Sequence, residues 1–302
     1  MALSNTGGGG RGGYGGSIVG DVILKGKKQY WARGGDFFYH RGMAAGENTL
    51  EGVITRLITN VLVEKGSYDH DEILDRYINL MTTPDAHNDT YAGTGHRMFF
   101  ANWVKGVKPR DCPDNDGHNT DALDGLVNMP PVVFAAMADG NPAGVHQNAK
   151  MCVSLFRRSN ALQQFAPMYA DLLVALVQGV PIRDAVTETG RKNGLDVPKM
   201  VQRNGDTDPM TACYLQSSFP SMLHFAYKYA DSPEQALLAN TNTGGENVAR
   251  GGVLGAVMGA AHGEKGIPGH LIKGLHDHER IRREIDVFAN HIARKAGIHS
   301  EL

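Results

Sequence analysis

Two short clusters in this sequence carry the residue types of an oxygen-donor site, Gly46-Glu47-Asn48-Thr49 and Gly244-Gly245-Glu246-Asn247. Each sets a carboxylate and an amide directly before an apolar helical pattern, where free backbone N–H groups point outward. Brought together they would offer two carboxylates, two amide oxygens and the Thr49 hydroxyl. Hard cations such as Mg²⁺ accept an oxygen-only set of this kind and keep waters in the remaining positions. Glu47, Asn48, Thr49 and Glu246 are therefore the candidate metal ligands, and Glu47 and Glu246 the candidate catalytic carboxylates. Gly244, Gly245 and Asn247 are the candidate ligand-binding residues of the second cluster. The competing reading is plain helix capping, since Asn and Thr are common N-cap residues. The spacing leaves both open.

The second cluster leads into a helix with a small-residue face of Gly251, Gly252, Gly255, Ala256, Gly259, Ala260 and Ala261. Each interior Gly costs roughly 0.5–1 kcal/mol relative to Ala, so such a helix either packs very closely or lies under a ligand. Gly205-Asp206-Thr207-Asp208 also looks like a metal motif, but Pro209 and an ordinary mixed helix follow it, so it reads as a loop and N-cap. The histidines form no cluster: His276 and His278 are placed two apart on a helix and face apart, His118 lies in a polar loop, and His40 follows an aromatic run. Cys152 sits in an apolar helix without a convincing histidine partner.

The elements that must position these residues are helices. Apolar residues at 50, 53, 54, 57, 58, 61 and 62 make Thr49–Glu64 amphipathic. Asp71–Met81 repeats the pattern behind an acidic first turn, and Thr82-Thr83-Pro84-Asp85 breaks it. Thr90–Trp103 is predicted helical and 106–120 a polar loop. Further helices are predicted at about 121–138, 143–158, 161–178, 210–229, 233–240, 247–262 and 277–296. Gly16–Ile23 alone hints at a strand. The expectation is an all-α protein with a glycine-rich disordered tail over 1–16 and one domain over 17–302.

The 302 residues carry 30 Lys and Arg against 32 Asp and Glu, a balance that argues against a fold-wide polyanion surface and so against nucleic acid as a partner. The longest apolar stretches, such as Val253–Ala261, fall far short of the ~20 residues of a membrane span. Cys112, Cys152 and Cys213 are few, odd in number and scattered, which fits a reducing compartment, cytoplasmic or another intracellular one.

Asn240–Gly263 (NTNTGGENVARGGVLGAVMGAAHG) resembles the C-terminal signature of ADP-ribosylglycohydrolases, an all-α family that usually has Gly-Gly-Asp-Thr-Asp-Thr there, followed by an Ala/Gly-rich helix. Gly46–Thr49 falls where that family has Thr-Asp-Asp-Thr, and the resemblance spans about residues 17–290. The segments AGENT, MTTP, SFPSMLHFAYKYADSPEQALLANTN and GGEN are similar to the branch containing jellyfish J-crystallins.

The resemblance implies a compact helical bundle with two Mg²⁺ ions in a cleft, positioning ADP-ribose so that water cleaves its bond to a protein side chain. Such ions orient ribose hydroxyls and polarise the water. It places Glu47 and Asn48 in the two Asp slots of the first motif, Thr49 in its last Thr slot, and Glu246 in the first Asp slot of the second. It further implies that Glu47 and Glu246 face each other across one cleft lined by Val248 and Ala249. The chain departs at Val248 and Ala249, in the slots of the second Asp and final Thr, and at Leu155-Phe156-Arg157, where the family has Leu-Thr-His. The family's opening helix is also not visible. One weakly held Mg²⁺ or none is then expected, and a structural or assembly role with weak or absent catalysis. The alternative is a Mg²⁺-dependent hydrolase removing ADP-ribose from a modified protein or a related substrate. An apolar patch near residues 17–45, with Ile18, Val22, Ile23, Tyr30, Trp31, Phe37, Phe38 and Tyr39, is expected to hold a protein partner or a second copy. ADP-ribose-like molecules are the expected small ligand.

Overall fold

The computed structural model describes residues 18–31 and 39–298. The glycine-rich opening, Phe37 and Phe38 lie outside the described residues, and so do the expectations placed on them. Thirteen α-helices run in chain order among the described residues. They are α1 (Leu50–Lys65), α2 (His70–Thr82), α3 (Thr94–Trp103), α4 (Met129–Ala138), α5 (Pro142–Val153), α6 (Asn160–Val177) and α7 (Ile182–Lys192), then α8 (Val197–Asn204), α9 (Leu215–Lys228), α10 (Pro233–Thr243), α11 (Asn247–His262), α12 (Gly269–Lys273) and α13 (His278–Lys295). The all-α expectation holds. Of the strand hinted at in Gly16–Ile23, the described residues from Ile18 onward form a turn with a single Val19–Ile23 bridge.

The described chain divides into two compact units. The first takes the residues up to Thr120, Met151–Asn160 and those from Leu275 onward. Its core joins Ile54, Ile58 and Val61 of α1 to Ile73 and Tyr77 of α2 and to Phe99 and Phe100 of α3. The Tyr77 ring lies 4.1 Å from that of Phe156. Helix α13 packs on α1, burying Ile281 and Phe288. The N-terminal segment belongs to this core: Ile18, Ile23 and Trp31 are buried, and the Trp31 indole N–H donates to Thr90 O at 2.9 Å. Val22 and Tyr30 are only half-buried, and Tyr39 is exposed.

The second unit holds Asp121–Lys150 and Ala161–Gly274. Leu162, Phe165, Tyr169 and Leu173 of α6, Phe219 and Met222 of α9 and the Val253, Leu254, Val257, Met258 stripe of α11 are buried. The Phe165 ring lies edge-on to that of Phe219 at 5.1 Å, and the Tyr169 hydroxyl donates to Val253 O at 3.1 Å. Where one helix was predicted over 121–138, the chain makes a 3-10 turn at Leu123–Leu126 and then starts α4 at Met129, with proline in its first turn. Proline there fixes φ and lacks only a donor the helix does not use. Helices α7 and α8 were not among the predicted helices. The buried stripe of α7, Ala185, Val186, Thr189 and Gly190, is narrow in an otherwise polar helix, and α8 is eight residues long. Gly190 is required by their contact, because a Cβ there would lie 2.4 Å from Val197 Cγ2.

Candidate functional site

The first cluster, in the first unit, leads into α1. Thr49 is the N-cap residue, yet its hydroxyl makes no capping bond. The cap comes from Asp89, a carboxylate 1% exposed, whose Oδ2 accepts the Leu50 N–H at 2.7 Å. Its Oδ1 accepts from the Tyr91 N–H at 3.0 Å and pairs with His40 Nδ1 at 2.8 Å. Burial pushes the Asp89 carboxyl up, but His40 and these N–H groups outweigh it and leave it below its ordinary value. His40 thus works through Asp89.

Glu47 is half-buried and does not cap α1 either. Its Oε2 accepts from Asn88 Nδ2 at 2.8 Å and from the Ala44 N–H at 2.7 Å, and these bonds, Asn88 first, hold its carboxyl below the usual value. Asn88 is set in place by Lys27, whose ammonium donates to the flanking carbonyls of His87 and Asp89 at 2.7 and 3.0 Å. Asn48 Oδ1 lies 3.4 Å from Arg56 Nη1.

The second cluster, in the second unit, turns through Gly244 (φ 75°) and Gly245 (φ 66°) into α11. Gly245 is needed both for its left-handed φ and for space, since a Cβ would lie 2.4 Å from Thr211 O. Glu246 is the N-cap residue without a side-chain cap bond, and its N–H donates to Thr211 O at 2.9 Å. Asn247 Nδ2 donates to Thr241 O at 3.0 Å, and its carbonyl accepts Asn240 Nδ2 at 2.9 Å. Arg250, fully buried, stitches the turn from below. Its guanidinium donates to Asn240 Oδ1 (2.6 Å), Thr211 Oγ1 (3.1 Å), Gly244 O (2.8 Å) and Asn240 O (3.4 Å). Val248 is 47% exposed and Ala249 6%, so the two residues point to different environments. The small-residue face of α11 is close-packed at Gly251, where a Cβ would meet Asn240 Nδ2 at 3.0 Å, and open at Gly259, with nothing within 4 Å.

Asp208 lies in a loop, as expected, but caps no helix: α9 begins after Tyr214. Its carboxylate instead takes Lys228 Nζ (2.8 Å), Tyr229 OH (2.8 Å) and His224 Nε2 (3.1 Å) from the end of α9. Burial pushes Asp208 up, and these three partners bring it below its ordinary value. His276 is not helical. It precedes Asp277 (φ 60°), α13 starts at His278, and the His276 N–H donates to Gly46 O at 2.9 Å. Burial pushes the Cys152 thiol up to about 12 and Cys112 up to about 11, which removes both as nucleophiles at neutral pH.

The ADP-ribosylglycohydrolase family description matches residues 11–300 of the 302. The chain belongs to the ADP-ribosylglycohydrolase family. A solved structure described as "ADP-ribosylglycohydrolase-related protein complex" shares its fold, with a TM-score of 0.62 and 20% identity over 83% of this chain and 82% of that one. No curated protein sequence matches. Within this member of the ADP-ribosylglycohydrolase family, Asp89, Asn88 and Arg250 are the residues that sequence reading missed. Arg250 alone carried a signal, a charged residue on the apolar side of a small-residue helix. Asp89 and Asn88 act on residues about forty positions away, which no spacing reveals.

Proposed function

We propose that this protein keeps the ADP-ribosylglycohydrolase scaffold without its di-magnesium centre, and serves a structural or assembly role of the crystallin-like kind with weak or absent hydrolysis. The observation that carries this reading is Arg250, a buried guanidinium whose four hydrogen bonds close the Gly244–Glu246 turn. The turn before α11 is thereby held by a cation of the protein itself. The donor set points the same way. Two Mg²⁺ ions would not fit the donors present, because Glu47 and Glu246 are the clusters' carboxylates, while Val248 brings an isopropyl group and Ala249 a buried methyl.

The second reading, Mg²⁺-dependent removal of ADP-ribose from a modified protein, is favoured by one observation. Neither Thr49 nor Glu246 uses its side chain to cap its helix. In that reading Glu47 and Glu246 act on the ion and its water. Calorimetric titration of the full chain with Mg²⁺, then with ADP-ribose, alongside release of ADP-ribose from a modified protein, decides between them. No Mg²⁺ heat and no release are expected. Mg²⁺-dependent binding with release would overturn the structural reading. Light scattering reads the assembly part: an oligomer is expected, and a stable monomer removes it.

A further inference from the structure

Gly52 and Arg56 are four apart on one face of α1, and Asn48, just ahead of the N-cap residue, lies against Gly52. Gly52 leaves the lane between the outer two open. A Cβ there would lie 3.1 Å from Asn48 Cβ and 3.4 Å from its amide carbon. Arg56 uses this lane to point Nη1 at Asn48 Oδ1, 3.4 Å away, the long end of hydrogen-bonding distance. Its Nε and Nη2 form a two-pronged bond to Glu284 of α13 at 2.7 and 2.9 Å. Arg280 Nε adds a bond of 3.0 Å to the same Glu284 carboxylate. A forked arginine–carboxylate pair fixes the guanidinium plane as well as its charge. The segment leading into α13 touches the cluster a second time, through the His276 N–H and Gly46 O at 2.9 Å. Gly46 is thus tied directly to the C-terminal segment, and Asn48 through Arg56.

We infer that the Arg56 guanidinium, clamped by Glu284, is the resident cation of the first cluster and keeps a divalent ion out of the Asn48 position. With its charge shared with Glu284, the guanidinium still turns its Nη1 edge to the Asn48 oxygen, where its N–H dipoles disfavour a cation, and the neutral amide of Asn48 gives the ion no compensating charge. An aspartate at position 48 would pair with the arginine instead of with a metal. This inference rests on the metal-free reading of the protein and explains how that state is held at the first cluster.

The test compares the full-length wild type, N48D, R56Q and N48D/R56Q by Mg²⁺ calorimetry, with circular dichroism and thermal melts recording the fold. N48D is expected to bind Mg²⁺ no better than wild type, and N48D/R56Q at least tenfold more tightly than N48D. N48D/R56K retains the charge and is expected to behave like N48D. Full affinity in N48D alone, or no gain in the folded N48D/R56Q protein, overturns the inference. N48D/R56M, which keeps the aliphatic stem over α1, supplies the same comparison if the glutamine variant does not fold. Tight Mg²⁺ binding by the wild type would instead sink the metal-free reading, and the ratio between N48D and N48D/R56Q would still judge the role of Arg56.

Discussion

Asp89 Oδ2 accepts the Leu50 backbone N–H at 2.7 Å, so α1 is capped by a buried carboxylate from 39 residues downstream. The residue at the helix's own N-cap, Thr49, contributes no cap bond. Asp89→Ala should therefore cost about 2 kcal/mol, the upper end for losing a cap. Thr49→Ala should stay within about 0.5 kcal/mol, as for a substitution away from any such feature. Urea unfolding of the two variants checks this, and equal losses would refute it.

Asp208 gathers Lys228, Tyr229 and His224, which leave its carboxyl below the usual value. A depressed carboxyl pKa gives stability that is present above the unfolded value near ~3.9 and is lost as pH falls through the lower folded value. Asp208→Asn should thus lower stability at pH 7 by about 2 kcal/mol, the loss of hydrogen bonds to a charged group. It should also flatten the fall in melting temperature between neutral and acidic pH. Parallel pH–melting curves for wild type and variant would contradict the role assigned to Asp208.

Arg250 is fully buried and makes its bonds as a planar fork, a geometry that an ammonium cannot copy. Arg250→Lys is expected to destabilise by about 3 kcal/mol, the equivalent of one or two charged hydrogen bonds lost. Limited proteolysis should then cut within 205–214 or at the Gly244–Gly245 turn. A lysine variant as stable and as protease-resistant as wild type would remove Arg250 as the stitch of the second cluster.

Ala249 is buried and Val248 is not, so restoring oxygen at both positions does not create a matched pair of ligands. Ala249→Thr should cost about 1–3 kcal/mol by overfilling a packed site, whereas Val248→Asp should be nearly neutral for stability. Thermal melts of the single variants separate them.

The chain contains three cysteines. With Cys152 and Cys112 raised to about 12 and 11, alkylation of the native protein at pH 8 should reach Cys213 first, and all three only after denaturation. Mass spectrometry of the labelled peptides gives the order.

Helices α1 and α2 were legible in the sequence from their apolar spacing, because a 3.6-residue period states both the element and its buried face, and α11 from its run of small residues. Family membership was legible too, since both clusters precede helices at recognisable positions. Helix α7 was not predicted: its buried stripe is narrow, Ala185, Val186, Thr189 and Gly190 in an otherwise polar helix, and Gly190 meets Val197 through close packing that spacing does not reveal. The sequence supplied Glu47, Asn48 and Thr49 but could not say what holds them. Asn88 and Asp89 reach Glu47 and the start of α1 from 41 and 39 positions away, and Glu284 holds Arg56 across 228. Contacts between distant segments are set by how helices pack, and local spacing carries no record of that packing. The types of the site residues come from the sequence; which of them cap, which pair and which stay exposed was decided by the tertiary structure.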